Sequence, residues 1–355
     1  MAAQARVNLP LPLIAAPGIP NVLTLLNPGP PPVIGQAPGV STGRVDLTLQ
    51  PRNLAVPGAT VQDALTTRPD FLFDDLTDLV LGLPGLFGGI SKSQIEWAEA
   101  LAPTTVLVWL GNNDALFAAL EADASFLTPI GDFQAAYAEV MDRLAATGAT
   151  LVVANIPDVT VIAFLTSAEE VAALVGLPLS VLGPILGIGP GDFVTPDAFA
   201  AIVAILHGML AGPLPANVVL DAGEVAAIRS ATAQYNAFIA AQAAAKGAAL
   251  VDIHALANSV KVQGFVVGGQ RLTTAFLGGF FSLDGIHPTN TGYAVIANEF
   301  IKALNTSFAA GVPPVSIRQI QKTDPLVLPG VGHPASALGH IAPDTVHSLR
   351  AVMGH

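Results

Sequence analysis

From residue 91 onward the chain alternates between two apolar patterns. One recurs at helical spacing with polar residues between; the other is a short run without polar breaks. SKSQIEWAEALAP at 91–103 is of the first kind, and Ser93 with Glu96 three residues later forms a capping box at its start. TTVLVWLG at 104–111 is of the second kind, which suits a strand buried on both faces. GDFQAAYAEVMDRLAATG at 131–148 predicts a helix, with Asp132 as N-cap and Gly148 just past its end. ATLVVANIP at 149–157 predicts the next strand, and 221–247 a long helix that starts at Asp221 and Glu224 and stops at Gly247. AALVDI at 248–253 is a third buried strand, and NTGYAVIANEFIKALN at 290–305 a closing helix. Such alternation predicts an α/β fold: a parallel sheet covered by helices on both faces, with ligands beyond the carboxyl ends of the strands.

The first 90 residues and the middle of the chain read differently. Residues 1–43 are rich in Pro and Gly, with NPGPPP at 27–32, and predict irregular structure. RVDLTLQ at 44–50 and NLAVPG at 53–58 alternate as strands do. The segment at about 158–220 has no clean strand signal and reads as an apolar insertion over one end of the sheet. Within it, 171–191 and 198–220 carry almost no charge, and each matches the roughly 20 residues of a bilayer crossing. Pro178, Pro184 and Pro190 interrupt the first, and an interior Pro costs a helix about 3 kcal/mol. No integral membrane span is therefore expected. LPLPLIAAPGIP near the N-terminus is broken by proline and does not make a signal peptide.

Composition narrows the function classes. Hydrophobic residues make up 52% of the 355, charged residues only 11%, and the mean hydropathy is +0.60. That much apolar surface excludes intrinsic disorder. The net charge of −12 repels a phosphate backbone, so nucleic acid is not an expected partner. With no cysteine, disulfides and thiolate chemistry are excluded.

The candidate chemistry follows the strands. After 104–110 comes Gly111-Asn112-Asn113-Asp114, and after 53–56 comes Pro57-Gly58-Ala59-Thr60. SLDGIHPTNTGY then places Asp284 three residues before His287. Gly58 can offer a backbone N–H with no side chain in the way, and Asn113 a side-chain N–H, together a hole for a developing oxyanion. His287 is a candidate general base, and Asp284 can fix its tautomer and stabilise the imidazolium. Asp114 and Asn53 read as structural hydrogen-bonding groups, and His254 as a locally satisfied histidine. His333, His340, His347 and His355 recur every seven or eight residues, without the i, i+4 geometry of a helical metal pair.

These blocks resemble those of the SGNH/GDSL hydrolases, serine esterases and lipases whose four blocks carry a Ser, a Gly, an Asn and a His. Gly58 matches the second block, GNND at 111–114 the G-x-N-D block, and DGIH at 284–287 the D-x-x-H block. The resemblance covers roughly residues 8–327. It implies a three-layer α/β/α, flavodoxin-like parallel sheet and hydrolysis of carboxylic esters through an acyl-enzyme. It also implies catalytic His287 and Asp284, an oxyanion hole of Gly58 and Asn113, no cofactor or metal, and a small-molecule or lipid-like ester as substrate. Segment 158–220 would then supply an acyl pocket or lid.

The family's first block is the departure. None of the thirteen serines follows a buried strand as Gly-Asp-Ser. GVSTG at 39–43 fits G-x-S-x-G, but that pattern needs a strand before it and a helix after it. Ser41 precedes the β-like 44–50 instead and reads as a turn, so the nucleophile is unassigned. The first strand, central in a flavodoxin-like order, is expected to be missing with its block. That is what a truncation, or a start downstream of the true gene start, would produce. The expected organisation is an N-terminally truncated hydrolase-like domain at 1–327 and a loosely ordered tail at 328–355. A non-catalytic ester- or glycan-binding remnant is the alternative, and a peripheral membrane protein a weaker one. A bacterial, exported or periplasmic setting would follow if the missing N-terminus carried a signal peptide.

Overall fold

A computed structural model describes residues 1–19, 22–27, 33–40, 43–70, 72, 75–327 and 340–341. Strands β1 (Leu23–Asn27) and β2 (Val33–Gln36) pair antiparallel, and helices α1 (Val61–Thr66) and α2 (Gln94–Ala100) follow. Next come β3 (Thr105–Val108), α3 (Asn112–Leu120), α4 (Ile130–Ala146) and β4 (Thr150–Ala154). The insertion holds β5 (Thr166–Ser167), α5 (Ala168–Val175), α6 (Leu179–Leu186), β6 (Phe193–Val194), α7 (Ala198–Leu206) and β7 (Val219–Leu220). The chain returns through α8 (Ala222–Ala245), β8 (Ala249–Val251), α9 (Ile253–Gln263) and the hairpin β9 (Phe265–Val267) and β10 (Gln270–Leu272). Helices α10 (Asn290–Phe308) and α11 (Ile317–Gln321) follow.

The central sheet is parallel, in the order β3-β4-β8, with Thr105 opposite Thr150 and Val152 opposite Ala249. Its middle strand shows why the fold has three layers. Successive side chains of a strand point to opposite faces. Leu151 and Val153 enter a core with Phe133, Tyr137 and Val140 of α4 and Ile228, Tyr235 and Ile239 of α8. Val152 and Ala154 enter the opposite core with Ile296 and Phe300 of α10. The fold is α/β/α, as the alternation of patterns predicts. Phe133 stacks between Tyr137 and Tyr235, with centroids 5.5 and 4.1 Å away, so α4 and α8 are locked over the same face.

Several expectations need correction. Residues 44–50 and 53–58 form no strand. Arg44 is buried, and its guanidinium donates to the carbonyls of Leu83 (2.8 Å) and Leu49 (2.5 Å). Those bonds hold the segment in an irregular path with one bridge, to Ile14. The α4 helix starts at Ile130, with Pro129 in the cap position, so Asp132 stands in its first turn and does not cap it. The insertion is not strandless: β5, β6 and β7 form a small antiparallel sheet under α5–α7, with an apolar cluster of their own.

Among the described residues no strand lies on the outer side of β3. Thr105 is exposed and Leu107 is 46% exposed on a strand that pairs only with β4. Ser41 and most of the 328–355 tail lie outside the described residues, as do His333, His347 and His355; His340–Ile341 form a short strand beside β2. No single described helix is long and apolar enough to cross a membrane.

Candidate active site

The first half of the site is a turn packed against a helix start. The Ala59 N–H donates to the Val56 carbonyl (3.3 Å), with Pro57 and Gly58 between them and Gly58 at φ +82°. That is a type II turn, which needs a positive φ at its third residue. The Gly58 N–H makes no hydrogen bond among the described residues. Thr60 and Asp63 then form a capping box that starts α1 immediately after the turn.

Gly111 ends the run after β3 at φ +103°, and a Cβ there would stand 2.9 Å from both Ile156 and Phe133. Only glycine lets the chain turn from the strand directly into α3, and Asn113 is the second residue of that helix. The Asn113 amide donates to the Ala59 carbonyl at 2.8 Å. The next residue, Asp114, is buried and accepts from the Val61 N–H at 3.0 Å. Burial pushes its carboxyl above the usual range despite the hydrogen bonds it receives. Two blocks more than fifty residues apart are thus stitched together, with Asn113 bonded to the residue after Gly58.

The second half is a compact loop. His287 Nδ1 stands 2.7 Å from Asp284 Oδ2. The other carboxylate oxygen accepts from the Ser282 hydroxyl (2.7 Å) and from the N–H groups of Ile286 and His287 (both 2.9 Å). The Asp284 side chain is 13% exposed and the His287 side chain 56% exposed. Burial alone would raise the Asp284 carboxyl, but the bond to His287, its charge and the local donors outweigh it and hold the pKa down. Burial alone would lower His287, and the hydrogen bond and negative charge of Asp284 outweigh that and raise it. Nδ1 is engaged, so Nε2 is the nitrogen left for a reacting group. Among the described residues no serine hydroxyl is hydrogen-bonded to it.

Each half is tied to a segment that leaves the carboxyl end of a strand. Asn113 follows β3, and the segment after β4 carries Phe164, whose N–H donates to the Gly285 carbonyl at 2.9 Å. The helical turn Val159–Val161 in that same segment packs against α3. His254 takes no part in either half. Its backbone N–H donates to Asn155 Oδ1 (2.9 Å), and its Nδ1 is 3.2 Å from the Ile156 carbonyl. Asn53 accepts from the Ala55 N–H, a local turn contact. Among the described residues no three His, Asp or Glu side chains gather as a metal site.

A family model described as GDSL-like Lipase/Acylhydrolase matches residues 33–300. The chain belongs to the GDSL-like lipase/acylhydrolase family. The matched span includes Gly58, Asn113, Asp284 and His287. This is a family of hydrolases acting on ester and acyl bonds, so small-molecule esters are the substrates to expect. No curated protein and no solved structure matched the chain.

For a GDSL-like hydrolase the structure adds three groups that sequence reading missed. Ser282 holds the second oxygen of Asp284, a role that a serine two residues before the aspartate could have signalled. The Ala59 carbonyl orients the Asn113 amide, and a main-chain acceptor leaves no mark in a sequence. Tyr293, on the first turn of α10, has its phenol pushed up to about 12 by burial and by the negative charge of Asp284.

Proposed function

We propose that the chain carries the acid–base and oxyanion groups of a serine ester hydrolase. His287 takes the proton of an attacking hydroxyl on Nε2, and Asp284 stabilises the imidazolium that results. The Gly58 N–H and the free hydrogen of the Asn113 amide face the developing oxyanion. Acyl-enzyme formation is followed by attack of a water that His287 activates in turn. The substrate class is a small or lipid-like carboxylic ester, and the unit responsible is the domain at 1–327. The observation that carries this reading is the 2.7 Å His287–Asp284 pair, with Asn113 tied by hydrogen bond to the residue after Gly58.

The nucleophile is a separate matter, because no described serine hydroxyl is hydrogen-bonded to the His287 ring. The chain as it stands is expected to hydrolyse p-nitrophenyl acetate, butyrate and octanoate no faster than background, with no serine labelled by a fluorophosphonate. Strong hydrolysis lost on Ser41→Ala would instead make Ser41 the nucleophile and correct its reading as a turn. The base and oxyanion roles are tested in any form of the protein that does turn over, including one extended by an upstream Gly-Asp-Ser strand. There, His287→Ala should cost about 10²–10⁴ in kcat/KM, and Asn113→Ala about 10²–10³ in kcat. Turnover that survives both substitutions within about twofold, well inside those ranges, would sink the assignment.

A further inference from the structure

The insertion exposes an apolar face that neither the core nor the site explains. Between Glu170 and Asp221 the only charged residues are Asp192 and Asp197, and no Lys or Arg occurs from 144 to 228. Helix α6, LSVLGPIL, is apolar except for the exposed Ser180. A helix of that kind belongs in a protein core or in lipid, yet only one side of α6 is in the core. Leu182 and Leu186 are fully buried in the insertion's own cluster. Val181 and Ile185, one turn apart on the other side, are 49% and 41% exposed, and Leu177 in the connection before α6 is also exposed.

The line continues onto the neighbouring loop. Leu214 N–H donates to the Leu186 carbonyl (2.8 Å), and Gly212 packs against the Ile185 carbonyl. This brings the turn after α7 beside the end of α6. The last residue of α7, Leu206, and the turn residues Met209 and Leu210 are exposed there, Met209 to 72%. A second observation points to what covers this face. Helices α5 and α6 together have the length, hydropathy and low charge of a membrane span, but they are bent by 107° at the break between them. The segment is as apolar as one that crosses a bilayer, and neither of its two helices is long enough to cross alone.

We propose that this face docks the protein onto a neutral or zwitterionic lipid surface, with Val181, Ile185, Met209 and Leu210 entering the acyl boundary. A protein partner fits less well, because such interfaces carry a hydrogen bond for roughly every 100–200 Å², and from 177 to 187 and 206 to 214 the only polar side chains are Ser180 and His207. Anionic lipid is disfavoured, since the face has no Lys or Arg and the molecule carries −12. Docking is independent of catalysis, so it stands or falls separately from the hydrolase reading. If that reading also holds, the same segment, hydrogen-bonded to Gly285 through Phe164, links the lipid surface to the loop of His287.

The test is co-flotation of the full chain with phosphatidylcholine vesicles. The wild type is expected to float with them, undiminished between about 0.1 and about 1 M salt, where charge attraction is screened out. The triple variant Val181→Asp, Ile185→Asp, Met209→Asp should lose at least about tenfold in partitioning, given the weight of burying each apolar side chain. A thermal melt checks that it stays folded, and Met209→Asp alone serves if it does not. The proposal is overturned by a wild type that stays in solution at millimolar lipid, by binding that the substitutions leave unchanged, or by binding that needs anionic lipid. Sedimentation velocity showing a dimer that the same substitutions dissociate would overturn it too, giving the face to a second copy of the chain.

Discussion

Asp284 and His287 set each other's protonation. The carboxylate keeps a proton on the imidazole to higher pH than the usual 6.5, and the imidazolium keeps the carboxylate charged to lower pH than the usual 3.8. The raised histidine favours the folded state fully below its unfolded pKa, and that contribution fades as pH rises through the folded value. The lowered aspartate contributes above its own unfolded pKa and loses this as pH falls through the folded value. A general base must be neutral, so any His287-dependent activity should rise with pH along a limb centred above 6.5. NMR titration of the His287 ring should give a pKa above 6.5 in the wild type and a lower one in Asp284→Asn. An unmoved value would mean that the pair is not coupled in solution. At Gly111 the residue scale also decides stability. A positive φ costs an L-residue about 1–2 kcal/mol, and the Cβ of Gly111→Ala would also press on Ile156 and Phe133. Urea unfolding should show a loss of at least that size, and a neutral result would refute the geometry at this turn.

Elements of this chain formed where the local signal and the tertiary contacts agreed. The capping boxes at Ser93–Glu96 and Asp221–Glu224 start α2 and α8 where the spacing predicts. At 44–58 they disagreed. The alternation of RVDLTLQ is what a strand would show, but the buried Arg44 guanidinium takes its partners from loop carbonyls, and among the described residues the segment makes one bridge, to Ile14, and isolated backbone bonds to Leu13 and Pro10. The consequence falls on β3, which among the described residues has a strand partner on one side only. In a parallel strand alternate N–H groups face opposite neighbours. Hydrogen exchange should therefore find alternate amides among Thr105–Val108 exchanging far faster than those of β4, which is flanked on both sides. Uniform protection across β3 would show that something covers that edge. An uncovered edge is also a template for pairing with other chains, so aggregation at high concentration belongs to the same expectation.

At the scale of the whole molecule the chain divides its apolar surface among separate cores. The two faces of the central sheet hold one cluster each, and the insertion holds another built from α5–α7 and its small sheet. A segment that packs within itself can be added to a hydrolase fold without disturbing the sheet, and its outer side is then free for another task. The lipid-docking proposal belongs to this scale, because no single residue of the face would bind a membrane and the line from Val181 to Leu210 exists only once α6 and α7 are assembled.

The sequence by itself determined the α/β/α plan, the strands at 105–108, 150–154 and 249–251, and the blocks that hold Gly58, Asn113, Asp284 and His287. Those features are local: a period of 3.6 or an unbroken apolar run, a capping pair, a glycine after a strand, an aspartate one turn before a histidine. Tertiary structure decided which carbonyl orients the Asn113 amide, that Ser282 fills the second oxygen of Asp284, and that Arg44 breaks an apparent strand. It also decided that the insertion turns one apolar side inward and the other out. Each of these depends on partners distant along the chain or on main-chain atoms common to every residue, and a linear pattern of side chains records neither.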